Sequence, residues 1–195
     1  PTAYREDYSA AVAAEDADLL AGLTEQTPLA VRLYRPLDAP PGLLRFKMYN
    51  TSKVALSDSL PVLENMGARV FDEHPYPIGD ESLWIHDMGL QVPAGVELAA
   101  IKTRFEALFV QTWRGEVESD NLNKLVLVTD LDARAISVLR AYTRYFKQLG
   151  FAFSQAYIED ALIRNAAIAQ DIIALFNTRF DPALAGDREQ SQVDI

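Results

Sequence analysis

The sequence predicts an α+β fold: an antiparallel four-stranded sheet with helices, followed by an all-helical segment. Three observations lead there. Residues 29–90 contain four strand-like runs, the first two alternating strictly between apolar and polar positions. One strongly marked helix separates the second run from the third. Beyond residue 90 the apolar residues recur only at helical spacing.

The elements follow in order. Residues 9–23 are alanine-rich, with Val12, Leu19, Leu20 and Leu23 apolar and acids between them, which predicts a helix. Over residues 29–35, Leu29, Val31 and Leu33 face one way, while Arg32 and Tyr34 face the other. PLDAPPG (36–42) is a turn by composition, and Leu44, Phe46 and Met48 then alternate against Arg45, Lys47 and Tyr49. Two alternating runs around a Pro/Gly loop predict an antiparallel hairpin. The next helix carries Leu56, Leu60, Leu63 and Met66, with Ser57 or Asp58 expected as its cap and Gly67 as its left-handed stop. With Asp58 as the cap, Pro61 falls in the first turn, where its missing N–H costs little. Residues 68–77 form a strand whose Pro75 and Pro77 cannot donate to a ladder, so it belongs at a sheet edge. A turn at Gly79-Asp80-Glu81 leads to a fourth strand, residues 83–90. The expected sheet order is 29–35, 43–50, 83–90, 68–77, a ferredoxin-like arrangement.

The remainder is helical. Ile101, Phe105, Leu108 and Phe109 form a stripe on a helix ending near Gly115, and a short helix spans residues 122–128. Asp132 caps a helix to Gly150 with Ile136, Leu139, Tyr142 and Phe146 on its inner side. Ser154 caps another through Tyr157, Ile158 and Leu162, and Asn165 breaks it. Residues 166–180 then turn Ile168, Ile172, Leu175 and Phe176 inward, and Asp181-Pro182 ends the helix.

Composition bounds the function. At 195 residues and 49% hydrophobic, the chain can bury a real core as one large domain or two small ones. It has no run of about 18 apolar residues and no signal-like opening, so no membrane span or membrane partner is expected. A net charge of −10 argues against a nucleic-acid partner, whose phosphates need clustered Lys and Arg. The absence of cysteine excludes disulfides and thiolate zinc sites and fits a reducing, cytoplasmic location. Both ends, Pro1 and the polar QSQVDI, read as cuts in a longer protein.

The chemistry-bearing residues are sparse. Dinucleotide sites need glycines that admit the pyrophosphate at a helix N-terminus, and no G-x-G stands among the nine glycines. The five lysines, Lys47, Lys53, Lys102, Lys124 and Lys147, fall in different elements. No catalytic, cofactor-binding or metal-ligating residue is therefore expected in this segment. His86 and Asp87 are strand neighbours that project to opposite faces, so His86 is expected to pack beside Trp84 rather than form an acid–base pair. A metal site from His74 and His86 with Asp72 or Glu73 lacks ligand spacing. Glu116, Glu118 and Asp120 read as a solvated turn, and Arg140, Arg144 and Lys147 as the polar side of a helix.

Several long words carry a resemblance: RFKMY (45–49), LSDSLPVLENMGARV (56–70), WIHDMGL (84–90), LRAYTRY (139–145), FSQAYI (153–158) and RFDP (179–182). Over residues 29–182 the chain resembles the large NAD-specific glutamate dehydrogenases of bacteria. The resemblance implies the last ACT-like regulatory domain and a following helical segment, just before the catalytic domain. It divides the chain into residues 1–116 (N-terminal helix and ACT-like domain), 117–183 (helical segment) and 184–195 (linker toward the catalytic domain). It implies a parent that oxidises glutamate to 2-oxoglutarate and ammonia with NAD, as a homo-oligomer, with the NAD and glutamate sites beyond Ile195. The partners it implies are the catalytic and other domains of the same chain, and an amino-acid effector. ACT-like modules hold small ligands near the loop after the first strand of the strand-helix-strand unit. Here that loop is Asn50, Thr51, Ser52 and Lys53, which offers an amide, two hydroxyls and an ammonium near a helix N-terminus but lacks the glycine of ligand-binding members. The alternatives are a stand-alone amino-acid sensor and a structural scaffold between domains.

Overall fold

The sheet is antiparallel throughout and runs β1 (Leu29–Tyr34), β2 (Leu43–Asn50), β4 (Leu83–Gln91), β3 (Arg69–Ile78), the order expected from the hairpin and the prolines. The computed structural model describes residues 2–180; Asp181-Pro182 and the linker 184–195 lie outside them. Two helices precede the sheet, α1 (Thr2–Asp7) and α2 (Ala10–Ala21), the first of which has no clear sequence signal. Helix α3 (Leu56–Asn65) lies between β2 and β3. After β4 come α4 (Leu98–Trp113), a 3-10 turn (Asn121–Lys124), α5 (Leu125–Val128), α6 (Ala133–Gln148), α7 (Gln155–Arg164) and α8 (Ala166–Phe180).

One sheet face is apolar. Phe46 stands opposite Leu33 on one side and Met88 on the other; Leu44 stands opposite Leu90. These side chains pack against Leu63 and Met66 from α3 and against Ile101, Phe105, Leu108 and Phe109 from α4, with the Phe109 ring 4.7 Å from that of Phe46. The same core continues into the helical half through Leu122, Leu125, Val126, Ile136, Leu139, Ala169 and Ile173. The ACT-like half and the helical half therefore share one apolar interior.

β3 occupies the edge its prolines require, with Pro75 opposite His86 and Pro77 opposite Trp84. A bulge between Val70 and Asp72 throws Phe71 across the neighbouring strand. Only glycine fits beneath it, since a Cβ at Gly89 would lie 2.5 Å from the Phe71 ring.

Four sequence expectations need correction. Helix α3 begins at Leu56 behind Ala55, without a side-chain cap, so neither Ser57 nor Asp58 caps it and Pro61 lies in its second turn. Ser59, Leu63 and Met66 face the sheet, as the stripe of Leu63 and Met66 implies, while Leu56 is exposed and Leu60 only half-buried. Helix α8 is rotated by about one residue from the expected face, burying Ala169 and Ile173 while Ile168 and Leu175 face outward. Phe146, at the end of α6, is exposed although Ile136 and Leu139 on the same stripe are buried. The caps at Asp132 and Ser154 and the left-handed Gly67 form as expected, and Ser9 caps α2.

Leu63 has no exposed surface, so Leu63→Ala is expected to cost about 2–5 kcal/mol of unfolding free energy. Leu60→Ala, outside the core, is expected to cost about 1 kcal/mol or less. Urea denaturation of both variants checks the phase of α3; equal losses would contradict it.

Candidate functional site

The loop 50–53 turns on Asn50. Its buried side chain accepts hydrogen bonds from the Ser52 backbone N–H (3.2 Å) and hydroxyl (3.5 Å), closing a local turn. Thr51, Ser52 and Lys53 are exposed, and the Lys53 ammonium sits 5.3 Å from the Trp84 ring centroid. The backbone donors are largely committed: Thr51 N–H donates to the Pro28 carbonyl (3.3 Å) and Val54 N–H to His86 Nε2 (3.2 Å). Asp58, in the first turn of α3, already places a carboxylate at that helix end.

His86 anchors this loop from inside the sheet. Because Nε2 accepts from Val54, Nδ1 carries the proton and donates to Glu73 at 2.7 Å. The ring stacks on Trp84, with centroids 5.9 Å apart, as the sequence suggested. His74 stands opposite Asp87 in the register, on the other sheet face, with Nε2 4.0 Å from Asp72. Alternation thus divides the two histidines between opposite faces of the sheet.

That second face holds what the sequence reading missed. Lys47 in β2 and Asp87 in β4 are register partners and are 1% and 0% exposed. Asp16 of α2 descends onto them and is itself 1% exposed. The Asp16 carboxylate accepts hydrogen bonds from Lys47 Nζ (2.5 Å), Tyr4 (2.6 Å) and Tyr49 (2.7 Å). The Asp87 carboxylate accepts from Tyr8, Tyr34 (2.6 Å) and Arg45 Nε (2.7 Å). Each buried carboxylate is thus met by two phenols and one cation. The Tyr8 ring covers the Lys47 ammonium, 3.8 Å from its centroid. Tyr76 donates to Asp7 at 2.7 Å, and Arg32 pairs with Glu15 at 2.5 Å. Nothing in the sequence marked Asp16 out from Glu15 or Asp18; the one available signal was a strand with Arg45, Lys47 and Tyr49 alternating beside a tyrosine-rich N-terminus.

In the helical half, the cationic stripe and the acidic turn meet. Buried Arg140 donates to Asp120 (2.5 Å) and Asn123 (2.8 Å), and Arg144 pairs with Glu118. The turn 116–120 is therefore an anchored junction rather than a merely solvated loop. Beyond it the apolar side chains are left outside. Tyr145, Phe146, Leu149, Phe151, Phe153 and Tyr157 are all exposed, and the rings from Phe146 through Phe151 and Phe153 to Tyr157 follow one another at 5.5, 5.3 and 4.8 Å.

Comparison with known proteins places these halves. Residues 28–103 match the family model described as glutamate dehydrogenase, ACT3 domain, and residues 117–182 match glutamate dehydrogenase, helical motif 3. The chain belongs to the glutamate dehydrogenase family. It is 39% identical over 188 residues to the NAD-specific glutamate dehydrogenase of Halomonas elongata, covering 94% of this chain and 12% of that protein. The corresponding protein of Pseudomonas aeruginosa is 38% identical over 186 residues (92% and 12%), and that of Mycobacterium tuberculosis 32% over 196 (94% and 12%). The chain spans about 12% of the length of the curated relatives it matches. Within this glutamate dehydrogenase segment, the family's ACT3 unit begins at residue 28, yet Tyr4, Tyr8 and Asp16 complete the burial of its sheet. Among the described residues no helix is long and apolar enough to cross a membrane, and no three His, Asp or Glu side chains cluster for a metal.

Burial is the main cause that raises the tyrosines of the second face: Tyr4 and Tyr49 further through hydrogen bonds to Asp16, Tyr8 and Tyr34 through the charge of Asp87. Tyr76 is pushed up to about 12 from an ordinary 10.0, by burial and then by its bond to Asp7. A pKa raised in the fold means that above about pH 10 the unfolded chain releases protons that the folded chain retains, so stability is full below that pH and falls above it. Tyrosinate absorbance is expected to lag behind free tyrosine between pH 10 and 12 and then to rise together with loss of circular dichroism. Ionisation of all eight tyrosines near pH 10 with the fold intact would contradict the network.

Proposed function

We propose that this chain is a non-catalytic regulatory and assembly segment of an NAD-specific glutamate dehydrogenase, a protein that deaminates glutamate oxidatively to 2-oxoglutarate and ammonia with NAD. The observation that carries the reading is the exposed aromatic run from Tyr145 to Tyr157 at the end of α6 and the start of α7. Leu149 is 63% exposed and Phe151 and Phe153 each 47%. Contiguous apolar surface of this kind is rare on a free domain and marks a docking face. The shared core supplies a rigid seat: α6 is fixed at its N-terminal half by Ile136, Leu139 and Arg140 and projects its aromatic C-terminal end. In this reading the occupant is another domain of the same long chain, and the parent works as a cytoplasmic homo-oligomer. Residues 1–116 and 117–183 then act together through their common core.

The sites for NAD and glutamate belong to the parent outside this segment. Calorimetry of the purified 195 residues is expected to give no saturable NAD binding and no glutamate-dependent NAD reduction. Saturable binding abolished by a substitution within residues 2–180 would overturn the non-catalytic assignment. Phe151→Ser with Phe153→Ser, placed in the full-length protein, is expected to loosen the domain assembly, seen as faster limited proteolysis, and to lower dehydrogenase activity. The same pair in the 195-residue segment should leave its circular dichroism unchanged, since both side chains are already exposed. Unaltered assembly and activity would remove the docking role.

The second reading is an amino-acid effector at Asn50, Thr51, Ser52 and Lys53, favoured by the exposure of the last three beside the α3 N-terminus. A thermal-shift screen of the common amino acids tests it: a ligand of the fold raises the midpoint, and Lys53→Ala should abolish that rise.

A further inference from the structure

We propose that the face of the sheet beneath α1 and α2 is a carboxylate-binding site, held closed by the Asp16 side chain in the place of a ligand. The receptor groups belong to the sheet. Lys47 Nζ and the Tyr49 hydroxyl, both on β2, converge on the Asp16 carboxylate at 2.5 and 2.7 Å. The carboxylate comes from α2, part of an N-terminal strap that lies outside the family's ACT3 unit of residues 28–103.

The strap is attached by polar contacts set around an apolar and aromatic cluster, with few of its side chains fully buried. Only Tyr4, Asp16 and Leu20 are buried on its two helices. Besides Asp16, its polar links to the sheet are Tyr8 to Asp87, Tyr76 to Asp7 and Arg32 to Glu15; Tyr4 and Leu20, with Tyr8, Leu19 and Leu23 beside them, pack on Tyr49, Tyr76 and Ile85. If the strap lifts, Lys47 loses both its counter-ion and the Tyr8 ring that covers it. A free carboxylate supplies the missing acceptor, so it binds the open face better than the closed one. A ligand with that preference shifts the equilibrium toward opening. The charged and titratable groups around the site are Lys47, Tyr49, Arg45, Asp87, Tyr34, Arg32 and Tyr76 from the sheet and Tyr4, Tyr8, Asp16, Asp7 and Glu15 from the strap.

Two measurements test the site, independently of the aromatic docking face. Asp16→Ala removes the built-in carboxylate. Acetate is expected to raise its thermal midpoint saturably, by about 3–5 °C more than sodium chloride at equal ionic strength. The double variant Asp16→Ala with Lys47→Met should lose that acetate-specific rise. An identical response to acetate and chloride would overturn the proposal, as would a rise that survives Lys47→Met. If Asp16→Ala does not fold, Asp16→Ser, which also vacates the carboxylate position, takes its place with the same expectations. In the unmodified chain, glutarate at matched ionic strength should accelerate hydrogen exchange of the α1–α2 amides while those of β2 and β4 stay protected. Strap exchange indifferent to glutarate would equally overturn the proposal.

Discussion

An ammonium buried in the second strand of a sheet needs a counter-ion that water cannot replace. Lys47 is 1% exposed, and the desolvation of such a charge costs several kcal/mol unless a carboxylate and further hydrogen bonds meet it. Asp16 does so, but Asp16 is then a buried charge in its own right, and Tyr4 and Tyr49 complete its shell. Asp87, directly opposite Lys47, imposes the same demand and is met by Arg45, Tyr34 and Tyr8. Two carboxylates thus stand against two cations, and the position of α1 and α2 follows from that balance. The charges make this face selective about what covers it: an apolar helix in place of α2 would leave Lys47 unpaired, a loss larger than the contacts it could add.

The opposite face is governed by packing. Phe46, Met48 and Met88 meet Leu63, Met66, Phe105 and Phe109, with His86 and Ser59 as the buried polar groups of the α3 side, so shape and volume largely decide which helices fit. The helical half is welded to this side through Leu122, Val126 and Ile136. Arg140 then locks the junction by spanning Asp120 and Asn123. The two faces consequently respond to different perturbations. Ionic ligands act on the strap side, while changes of volume or helix position act on the side joined to α4 and α6.

The sheet was legible because its determinants are local. Alternation around PLDAPPG fixed the hairpin, Pro75 and Pro77 marked the edge, and a strand-helix-strand unit left room for 83–90 beside 43–50. The start of α3 differs from the expectation because Ser57 and Asp58 look like caps, although Leu63 and Met66 lie on the expected face. The helix instead starts behind Ala55, where Val54 is tied to His86, a contact 32 residues distant in sequence. The face of α8 was misread because Ile168 and Leu175 are as apolar as Ile172 and Ile173, and tertiary packing alone decides which of them are covered. The charged network was not legible at all. Asp16, Lys47 and Asp87 lie 31 and 40 residues apart in sequence, and each by itself reads as an ordinary polar position on an amphipathic element.

Coupling between the halves follows from where rigidity ends. α6 is buried at Ile136, Leu139, Arg140 and Thr143 and exposed from Arg144 onward, so its first half belongs to the common interior and its last turn stands free. Leu108 and Phe109 of α4 share that interior with Leu125 and Ile136. Packed side chains of this density resist compression and move with their neighbours. Phe146, Phe151 and Phe153 lie beyond the anchored part of α6, whose last buried residue is Thr143. That end, and not the buried half of the helix, carries the apolar surface a neighbouring domain can meet.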